Sequence, residues 1–412
     1  MDKSFPPLPV SRVPVRDLPF KRLVFLTDSL ELGKSGVGDV TRHLAAELSR
    51  RGHYVLLLSI NDRSYHSETP FFESLDEGRI RLGRFSNALP WKSRAPIIRR
   101  LITEFQPDLI SLQFVCYGYE TRGLTFFINP WIQRLLEGFT TQIMFHELWI
   151  GQNLDATFKE RVFKWLQSQA VLALLRRIQP KMVHASNPTY VDILHDFGIS
   201  AKCLPLPSAI SIAPMKDQEW FYQHVATNQT NLTAINRSEY WLFGFFGTLH
   251  PIWPPEPFLS YVRQAAEQSG KVPIFCAIGH LGAGEPLWDR LSQEHGTWSK
   301  WVKFGVQPEQ RVSQFFQEID YGVATTPWQI IGKSSSAVTM LEHGVPVIVN
   351  RSVQFRSGAE YTVSPDPLLI RMDSSLPQVL LQGRSRGVPQ ERTPSVASQF
   401  LEDCFGGLKE KT

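Results

Sequence analysis

The feature that most constrains how this chain can fold is a repeated alternation of apolar, β-favouring runs with segments of helical periodicity. An apolar run at residues 22–28 leads into a loop that ends at residues 36–38, and apolar residues then recur at helical spacing over residues 40–48. Gly52 stands where a left-handed residue ends a helix, and a second apolar run, HYVLLLSIN, begins at His53. This order predicts two parallel strands joined by a helix.

The same alternation continues along the chain in two series. In the first series we predict further helices and strands at residues 97–105, 108–115, 143–146, 158–178, 181–186 and 189–198. A second series of apolar runs, separated by helix-like segments, lies at residues 240–247, 272–279, 301–306, 321–327 and 345–350. Two such series predict an α/β protein with two Rossmann-like domains that face each other across a cleft.

The length and composition agree with two domains. The chain has 412 residues, 42% of them hydrophobic, which is enough for two cores of ordinary size. The stretch between the two series is polar, as expected at a domain boundary. We predict an extended, proline-rich N-terminal arm at residues 1–20, a first domain at 21–205, a linker at 206–239, a second domain at 240–390 and a C-terminal helix at 391–412.

Charge and cysteine usage exclude several classes of protein. The formal net charge of +4 is small and no basic stripe is concentrated in the chain, so a nucleic-acid partner is not expected. The four cysteines lie far apart without a C-x-x-C pair, which favours a reducing cytoplasm over a zinc ribbon or a disulfide framework. No apolar run reaches the ~18 residues of a membrane span. The sequons at Asn228, Asn231 and Asn236 are interpreted as chance matches in the polar linker.

A serine-rich segment in the second series is the strongest candidate for a ligand site. Gly332, Lys333, Ser334, Ser335 and Ser336 follow a predicted strand and open a helix at residues 337–343. Hydroxyl groups, the unpaired N–H groups of a helix start and one ammonium group together suit a diphosphate. The alternative is an N-terminal cap with redundant serines.

Weaker candidates lie in the first series. The glycine loop at residues 32–39 either lets the backbone approach a ligand or packs a helix onto its strand. His146 and Glu147 stand at a predicted strand end, where the ring is either catalytic or an ordinary core histidine. Tyr117 and Tyr119 either line a sugar site or pack beneath a loop.

Taken in order, these segments resemble the family 4 glycosyltransferases of the GT-B type, and the likeness covers about nine tenths of the chain. The similar segments of the first series are GVGDVTRHLAAELSRRGHYV, PDLISLQF, FHE and HASNPTYVDILHDFGI. Those of the second series are FGFFGTL, FFQEIDYGVATTPW and GKSSSAVTMLEHGVPVIVN.

The resemblance implies transfer of a sugar, with retention, from a nucleotide-diphosphate sugar to a glycan, a lipid-linked or a small-molecule acceptor. It implies no metal ion and no cofactor beyond the donor. His146 would touch the transferred sugar, with Glu147 beside it, and Lys333 would stabilise the leaving diphosphate. The implied donor-binding residues are Gly36, Gly38, Gly247, Thr248, Gly332, Ser334, Ser335, Ser336, Thr339 and Glu342.

The chain departs from the family pattern at four positions. Thr248 and Trp253 stand where the family has an arginine and a lysine, and Ile331 and Thr339 replace its two glutamates. Lys333 restores one charge, and a carboxylate lies near the same helix face one turn beyond Thr339. These departures keep open a second hypothesis, that of a non-catalytic GT-B partner that binds a glycan or another subunit. A third, a GT-B sugar epimerase, needs a richer set of carboxylates and arginines.

The basic segment WKSRAPIIRRL, at residues 91–101, bears on location. It either rests on an anionic membrane that presents a lipid-linked acceptor or forms a solvated helix face. A cytoplasmic protein, with peripheral membrane contact as an option, is therefore expected.

Overall fold

The structure is a computed structural model that describes residues 20–214, 219–226, 236–355 and 366–406. Most of the predicted N-terminal arm, the sequons at Asn228 and Asn231, and the last six residues of the predicted C-terminal helix lie outside these ranges. The chain divides into two compact units. Among the described residues, the first unit comprises 20–207, 354–355 and 393–406, and the second comprises the rest.

The described elements alternate along the chain as the sequence predicts. The strands are β1 (Arg22–Thr27), β2 (Tyr54–Asp62), β3 (Phe71–Leu75), β4 (Ile80–Ser86), β5 (Leu109–Phe114), β6 (Thr141–Phe145), β7 (Met182–Ala185), β8 (Lys202–Cys203), β9 (Tyr240–Phe246), β10 (Val272–Ile278), β11 (Lys300–Gly305), β12 (Tyr321–Ala324), β13 (Val347–Val349) and β14 (Leu369–Arg371). The helices are α1 (Gly36–Arg50), α2 (Trp91–Phe105), α3 (Cys116–Tyr119), α4 (Asn129–Leu136), α5 (Phe158–Ile178), α6 (Pro188–Asp196), α7 (Glu219–Ala226), α8 (Phe258–Ser269), α9 (Glu285–His295), α10 (Glu309–Glu318), α11 (Ser335–Glu342), α12 (Leu376–Gln382) and α13 (Thr393–Phe405). Short 3₁₀ helices lie at Asp76–Gly78, Thr125–Phe127, Arg237–Glu239, Gly282–Gly284 and Trp328–Lys333.

Each unit is built on one sheet. The strand order is β3-β4-β2-β1-β5-β6-β7-β8 in the first unit and β11-β10-β9-β12-β13-β14 in the second. All neighbouring strands are parallel except β3, which runs antiparallel to β4 at the edge of the first sheet. The central strands are buried along almost their whole length, as parallel strands covered by helices on both faces must be. The predicted α/β class with two parallel-sheet domains is confirmed.

Three strands of the first unit were missed by the sequence prediction, namely β3, β4 and the two-residue strand β8. Strand β3 is mostly exposed and has no continuous apolar run, so its pattern does not differ from that of a loop. Strand β4, which pairs with it, mixes arginines with apolar residues in the sequence IRLGRFS. Edge strands face solvent along one side, and a hydrophobic pattern therefore marks them poorly.

The C-terminal helix α13 belongs to the first unit. Its Phe400 packs against Phe25 of β1, with the ring centroids 5.7 Å apart. Arg51, just after α1, donates hydrogen bonds to Ser398 Oγ at 2.8 Å and to the Pro394 carbonyl at 2.6 Å. The chain thus returns to the first sheet after completing the second unit.

The stretch predicted as a linker contains helix α7. Phe221 and Val225 of this helix are fully buried in the core of the second unit, and Phe221 stacks on Phe304 at 5.2 Å between centroids. Residues 215–218 and 227–235 of the same stretch lie outside the described ranges. Its polar composition concealed the short apolar face of α7.

Within the described residues, no helix combines the length and the apolar character needed to cross a bilayer.

Candidate functional site

The candidate donor site lies in the second unit, where three neighbouring strands end. Strands β9, β12 and β13 are adjacent and parallel, so their carboxyl ends lie along one edge of the sheet. The loops that follow them carry Gly247 and Thr248, the serine-rich segment, and Asn350 and Arg351. Open parallel sheets bind ligands beyond the carboxyl ends of their strands.

The serine-rich segment combines a cap with further hydroxyl groups. Ser334 is the N-terminal cap of α11: its backbone is extended, with φ −83° and ψ 101°, and its Oγ accepts from the Ala337 N–H at 3.3 Å. The Ser336 hydroxyl lies 3.1 Å from the same oxygen. Capping therefore explains Ser334, whereas Ser335 and Ser336, both partly exposed in the first turn, exceed what a cap requires.

Lys333 is delivered to the same place by local structure. The 3₁₀ helix Trp328–Lys333 follows β12 and ends directly at the cap of α11. Lys333 is partly exposed there, directly before the cap residue Ser334. Its ammonium group and the helix dipole both favour an anion at this position.

The loop after β9 turns at a glycine. Gly247 has φ +75°, a left-handed conformation that favours glycine, and its N–H donates to the Ile278 carbonyl at 2.9 Å. Thr248 follows with an exposed side chain. This loop reaches the same edge of the sheet as the serine-rich segment.

Trp253 anchors this loop rather than binding a phosphate. Its indole is only 2% exposed, and its Nε1 donates to Asn350 Oδ1 at 2.6 Å. The Asn350 amide in turn donates to the Pro254 carbonyl at 2.7 Å. The loop after β9 and the end of β13 are therefore held together at the position where the family pattern has a lysine.

Thr339 and Glu342 are buried and bonded within the protein. Glu342 is 1% exposed, and its carboxylate accepts from the backbone N–H groups of Ser208 at 2.8 Å and Arg392 at 3.0 Å. Thr339 Oγ1 lies 3.1 Å from Ser208 Oγ and accepts from the Ala209 N–H at 3.3 Å. Burial raises the pKa of Glu342 to about 7, although its hydrogen bonds from the N–H groups of Ser208 and Arg392 oppose the rise. These contacts favour an anchoring role, and a part in nucleotide binding stays a prediction.

In the first unit, Gly36 and Gly38 lie in the first turn of α1 rather than in the loop before it. Ser35 caps the helix by accepting from the Gly38 N–H at 3.1 Å, and this cap sets the earlier start. A Cβ atom at position 38 would lie 2.5 Å from the Ser29 carbonyl oxygen. Glycine at position 38 is thus required where α1 packs against the loop after β1, while Gly36 is exposed.

His146 is a buried, neutral side chain. It follows β6, is 5% exposed, and its Nε2 lies 2.7 Å from Gln113 Oε1, so this nitrogen carries the proton and donates. Burial lowers the pKa of its ring to about 3. Glu147, the next residue, is partly exposed, and its charge helps to raise the pKa of the nearby Cys116 thiol. This is the arrangement of a satisfied core histidine, and its catalytic role stays a prediction.

The tyrosines after β5 pack within the first unit. Tyr119 is 3% exposed, stacks on Phe114 at 5.4 Å between centroids, and donates to the Gln113 carbonyl at 3.1 Å. Tyr117 Oη accepts from Gln167 Nε2 at 2.9 Å. These contacts favour the packing interpretation over a sugar site.

The basic helix α2 uses two of its cations internally. Arg94 is 2% exposed and donates to Asn61 Oδ1 at 2.7 Å and to two backbone carbonyls. Arg99 donates to the carbonyls of Leu135 at 2.9 Å and Glu137 at 2.7 Å. These two guanidinium groups are held within the unit, whereas Lys92 and Arg100 of the same helix are exposed. Peripheral membrane contact stays a prediction.

Several site residues have no signal in the sequence pattern. Asn350 and Arg351 follow β13 and His250 follows β9, and these two distant parts of the chain are brought together by the strand order. In the first unit, burial raises the pKa of the Asp28 carboxyl just after β1, and Gly118 leaves room for that side chain. Among the residues the structure describes, no three metal-binding side chains of His, Cys, Asp or Glu come together.

No protein-family model matches the chain, and no curated protein matches it in sequence. Solved structures do resemble it. Sucrose-phosphate synthase from Thermosynechococcus elongatus superposes with a TM-score of 0.56 at 11% identity, over 80% of this chain and 81% of that chain. The UDP-forming α,α-trehalose-phosphate synthase from Burkholderia xenovorans, in complex with glucose 6-phosphate, gives 0.53 at 10% identity, over 93% and 100%. Anabaena HepE, in complex with UDP-glucose, gives 0.50 at 14% identity, over 93% and 90%. At such identities the similarity shows the shared fold, and the predicted GT-B fold of glycosyltransferases is confirmed.

Proposed function

We propose that this protein is a glycosyltransferase that moves a sugar from a nucleoside-diphosphate sugar to a carbohydrate, lipid-linked or small-molecule acceptor. The observation that carries this proposal is the serine-lined start of α11 with Lys333 beside it, at the carboxyl ends of β9, β12 and β13. The GT-B fold supports it as an analogy, since function resides in the site and not in the fold.

The chemistry of the reaction explains why such a site is useful. Cleavage of the sugar–phosphate bond leaves a nucleoside diphosphate with additional negative charge on its terminal phosphate. Groups that already point toward that position stabilise the transition state more than the ground state. In this proposal Lys333, the hydroxyl groups of Ser335 and Ser336 and the N–H groups of the first turn of α11 do so. Retention of stereochemistry and independence of a metal ion follow from the family resemblance and belong to the proposal.

The donor is proposed to carry uridine in the first instance. HepE is described in complex with UDP-glucose, and the trehalose-phosphate synthase is described as UDP-forming. Carbohydrates and sugar phosphates are the corresponding acceptors to be tested first.

The proposal is tested by exchanging Lys333 for alanine. The purified full-length protein is incubated with UDP-, GDP- and ADP-sugars and an acceptor panel, and the released nucleoside diphosphate is measured. The unchanged protein should release UDP, GDP or ADP from one of the three donors. Lys333→Ala should lower the turnover of that donor by about 10- to 100-fold, the value of one charge-assisted hydrogen bond. Lys271→Ala is the matched control, because Lys271 precedes β10 at the opposite edge of the same sheet.

Two results would contradict the proposal. Lys333→Ala with turnover equal to that of the Lys271→Ala control removes Lys333 from the mechanism. If no donor releases nucleotide with any acceptor, transfer itself is excluded.

A non-catalytic GT-B partner is the second candidate. The observation that favours it is the internal use of Trp253 and Glu342, which hold loops together where the family binds its donor. Such a protein would show a shift in melting temperature with a glycan or a nucleotide and yet release no nucleoside diphosphate.

A further inference from the structure

We infer that Arg351 and His250 bind the diphosphate of the donor, and that with Lys333 they complete a cationic site formed by the ends of three neighbouring strands. This inference rests on the proposed function and names side chains that sequence patterns do not reveal. The evidence is where the two residues are held, and the absence of negative charge near them among the described residues.

Arg351 is tied to the segment that carries the serines. It lies two residues beyond β13, and its Nη1 donates to the Thr325 carbonyl, just after β12, at 3.2 Å. Its own carbonyl accepts from the Trp328 N–H at 2.8 Å, at the start of the 3₁₀ helix that leads to Lys333. Gln329 adds hydrogen bonds to residues 352 and 353, at 2.8 and 2.9 Å. Arg351 is therefore positioned by the same short segment that delivers the start of α11.

His250 reaches this place from the loop after β9. The bonds between Trp253, Asn350 and Pro254 hold that loop beside the residue that precedes Arg351. The imidazole Nδ1 accepts from the Ile252 N–H at 3.3 Å, which leaves Nε2 as the protonated nitrogen of the neutral ring. The ring is exposed and can donate from Nε2 to a ligand oxygen.

Among the described residues, the two charges that act on the His250 ring are both positive. Partial burial lowers the pKa of His250, and the charges of Arg351 and Lys333 lower it further, so each of these two cations lies close enough to act on the ring. Burial alone lowers the pKa of Arg351, and no described carboxylate opposes that effect. A half-buried guanidinium group without a counter-charge is unfavourable unless a ligand supplies one.

A comparison with Arg94 shows why a ligand is needed. Arg94 also lacks a carboxylate, but three oxygens of its own unit accept hydrogen bonds from its guanidinium group. Among the described residues, Arg351 donates to one oxygen, the Thr325 carbonyl. A guanidinium group has five N–H donors in all. The remaining donors form a planar fork, which matches the paired oxygens of a phosphate group.

The test compares two ligands that differ only in phosphate. Binding of UDP and of uridine to the full-length protein is measured by isothermal titration calorimetry, for the unchanged chain and for Arg351→Gln and His250→Ala. Arg351→Gln should weaken UDP binding by about 10- to 100-fold and leave uridine binding within about twofold. His250→Ala should weaken UDP binding by about 3- to 10-fold, since one neutral donor is lost. Arg351→Lys should recover part of the loss, because it keeps the charge without the fork.

Arg263→Gln is the matched control. Arg263 is exposed on α8 and pairs with Glu267 at 2.9 Å, so its exchange makes the same change of charge in the same unit. It should bind UDP as the unchanged protein does. Thermal melting of each variant establishes that the fold is kept.

The outcomes separate this inference from the proposed function. UDP binding that is unchanged in both Arg351→Gln and His250→Ala would overturn the inference and leave the transferase proposal standing. An equal loss of UDP and uridine binding in Arg351→Gln would show a structural role and overturn it as well. If the unchanged protein bound none of UDP, GDP and ADP, both this inference and the proposed function would fail.

Discussion

Exchanging Glu342 for glutamine should remove a loss of stability that the unchanged chain shows between pH 5 and pH 8. Glu342 is buried at the end of α11, and burial raises the pKa of its carboxyl from the ordinary 4.5 to about 7. A group whose pKa is higher in the folded state contributes stability below pH 4.5, and this contribution is lost as the pH rises through 7.

The magnitude follows from that difference in pKa. From pH 5 to pH 8 the unchanged chain should lose about 2.5 kcal/mol of unfolding free energy through this one carboxyl group. Glutamine does not titrate, but its amide nitrogen cannot accept a hydrogen bond, whereas each oxygen of Glu342 accepts one from a backbone N–H group. Glu342→Gln should therefore carry a pH-independent cost of about 1 to 3 kcal/mol for the N–H group that loses its partner, and its stability relative to the unchanged chain should rise by about 2.5 kcal/mol from pH 5 to pH 8.

The assay is urea denaturation of both proteins at pH 5, 6, 7 and 8, followed by circular dichroism. Glu267→Gln is the control, because it removes an exposed carboxylate from α8 in the same unit and should run parallel to the unchanged chain. A constant difference between Glu342→Gln and the unchanged chain across this range, or one that moves in the opposite direction, would refute the reasoning.

Two further predictions concern the first unit. Gly38→Ala should lower the unfolding free energy by about 1 to 3 kcal/mol, because its Cβ would lie 2.5 Å from the Ser29 carbonyl oxygen. Gly36→Ala, at the exposed helix start, should change the unfolding free energy by less than about 0.5 kcal/mol. Thermal melting distinguishes the two variants, and equal effects would contradict the packing role of Gly38. His146 has a pKa lowered from 6.5 to about 3, so its contribution is present above pH 6.5 and is lost as the pH falls. Between pH 7 and pH 5 the unchanged chain should lose about 2 kcal/mol through this ring, and the gap between it and His146→Gln in denaturant melts should narrow by that amount; a gap that stays constant would show that the ring is hydrated.

The elements that the sequence predicted well have local signals. Helix α5 was predicted at residues 158–178 and forms at Phe158–Ile178, where Thr157 and Glu160 form a capping box and Gln179 adopts a left-handed conformation. Elements without such signals were missed, among them the exposed strand β3 and the helix α7, which has two core residues in a polar stretch. The hydrophobic pattern of a strand is clear where both faces of the sheet are buried, and it is weak where one face is exposed to solvent.

The residues of the candidate site also divide into those that the sequence predicted and those that it missed. Lys333 and the serines were found because they are consecutive, so one loop and one helix start bring them together. Arg351 and His250 were not found, because they come from different loops separated by about a hundred residues of chain. Their proximity depends on the adjacency of β9, β12 and β13, a strand order that no local pattern encodes.

The sequence by itself determined the class of fold, because continuous apolar runs between amphipathic segments can be buried only as parallel strands covered by helices. Only the tertiary structure decided what individual polar side chains do. Glu342 bonds to the backbone of Ser208 and Arg392, and His146 bonds to Gln113. Each of these partners is distant in the chain, and the environment that sets the charge of a carboxyl or an imidazole exists only once the sheets and helices have packed.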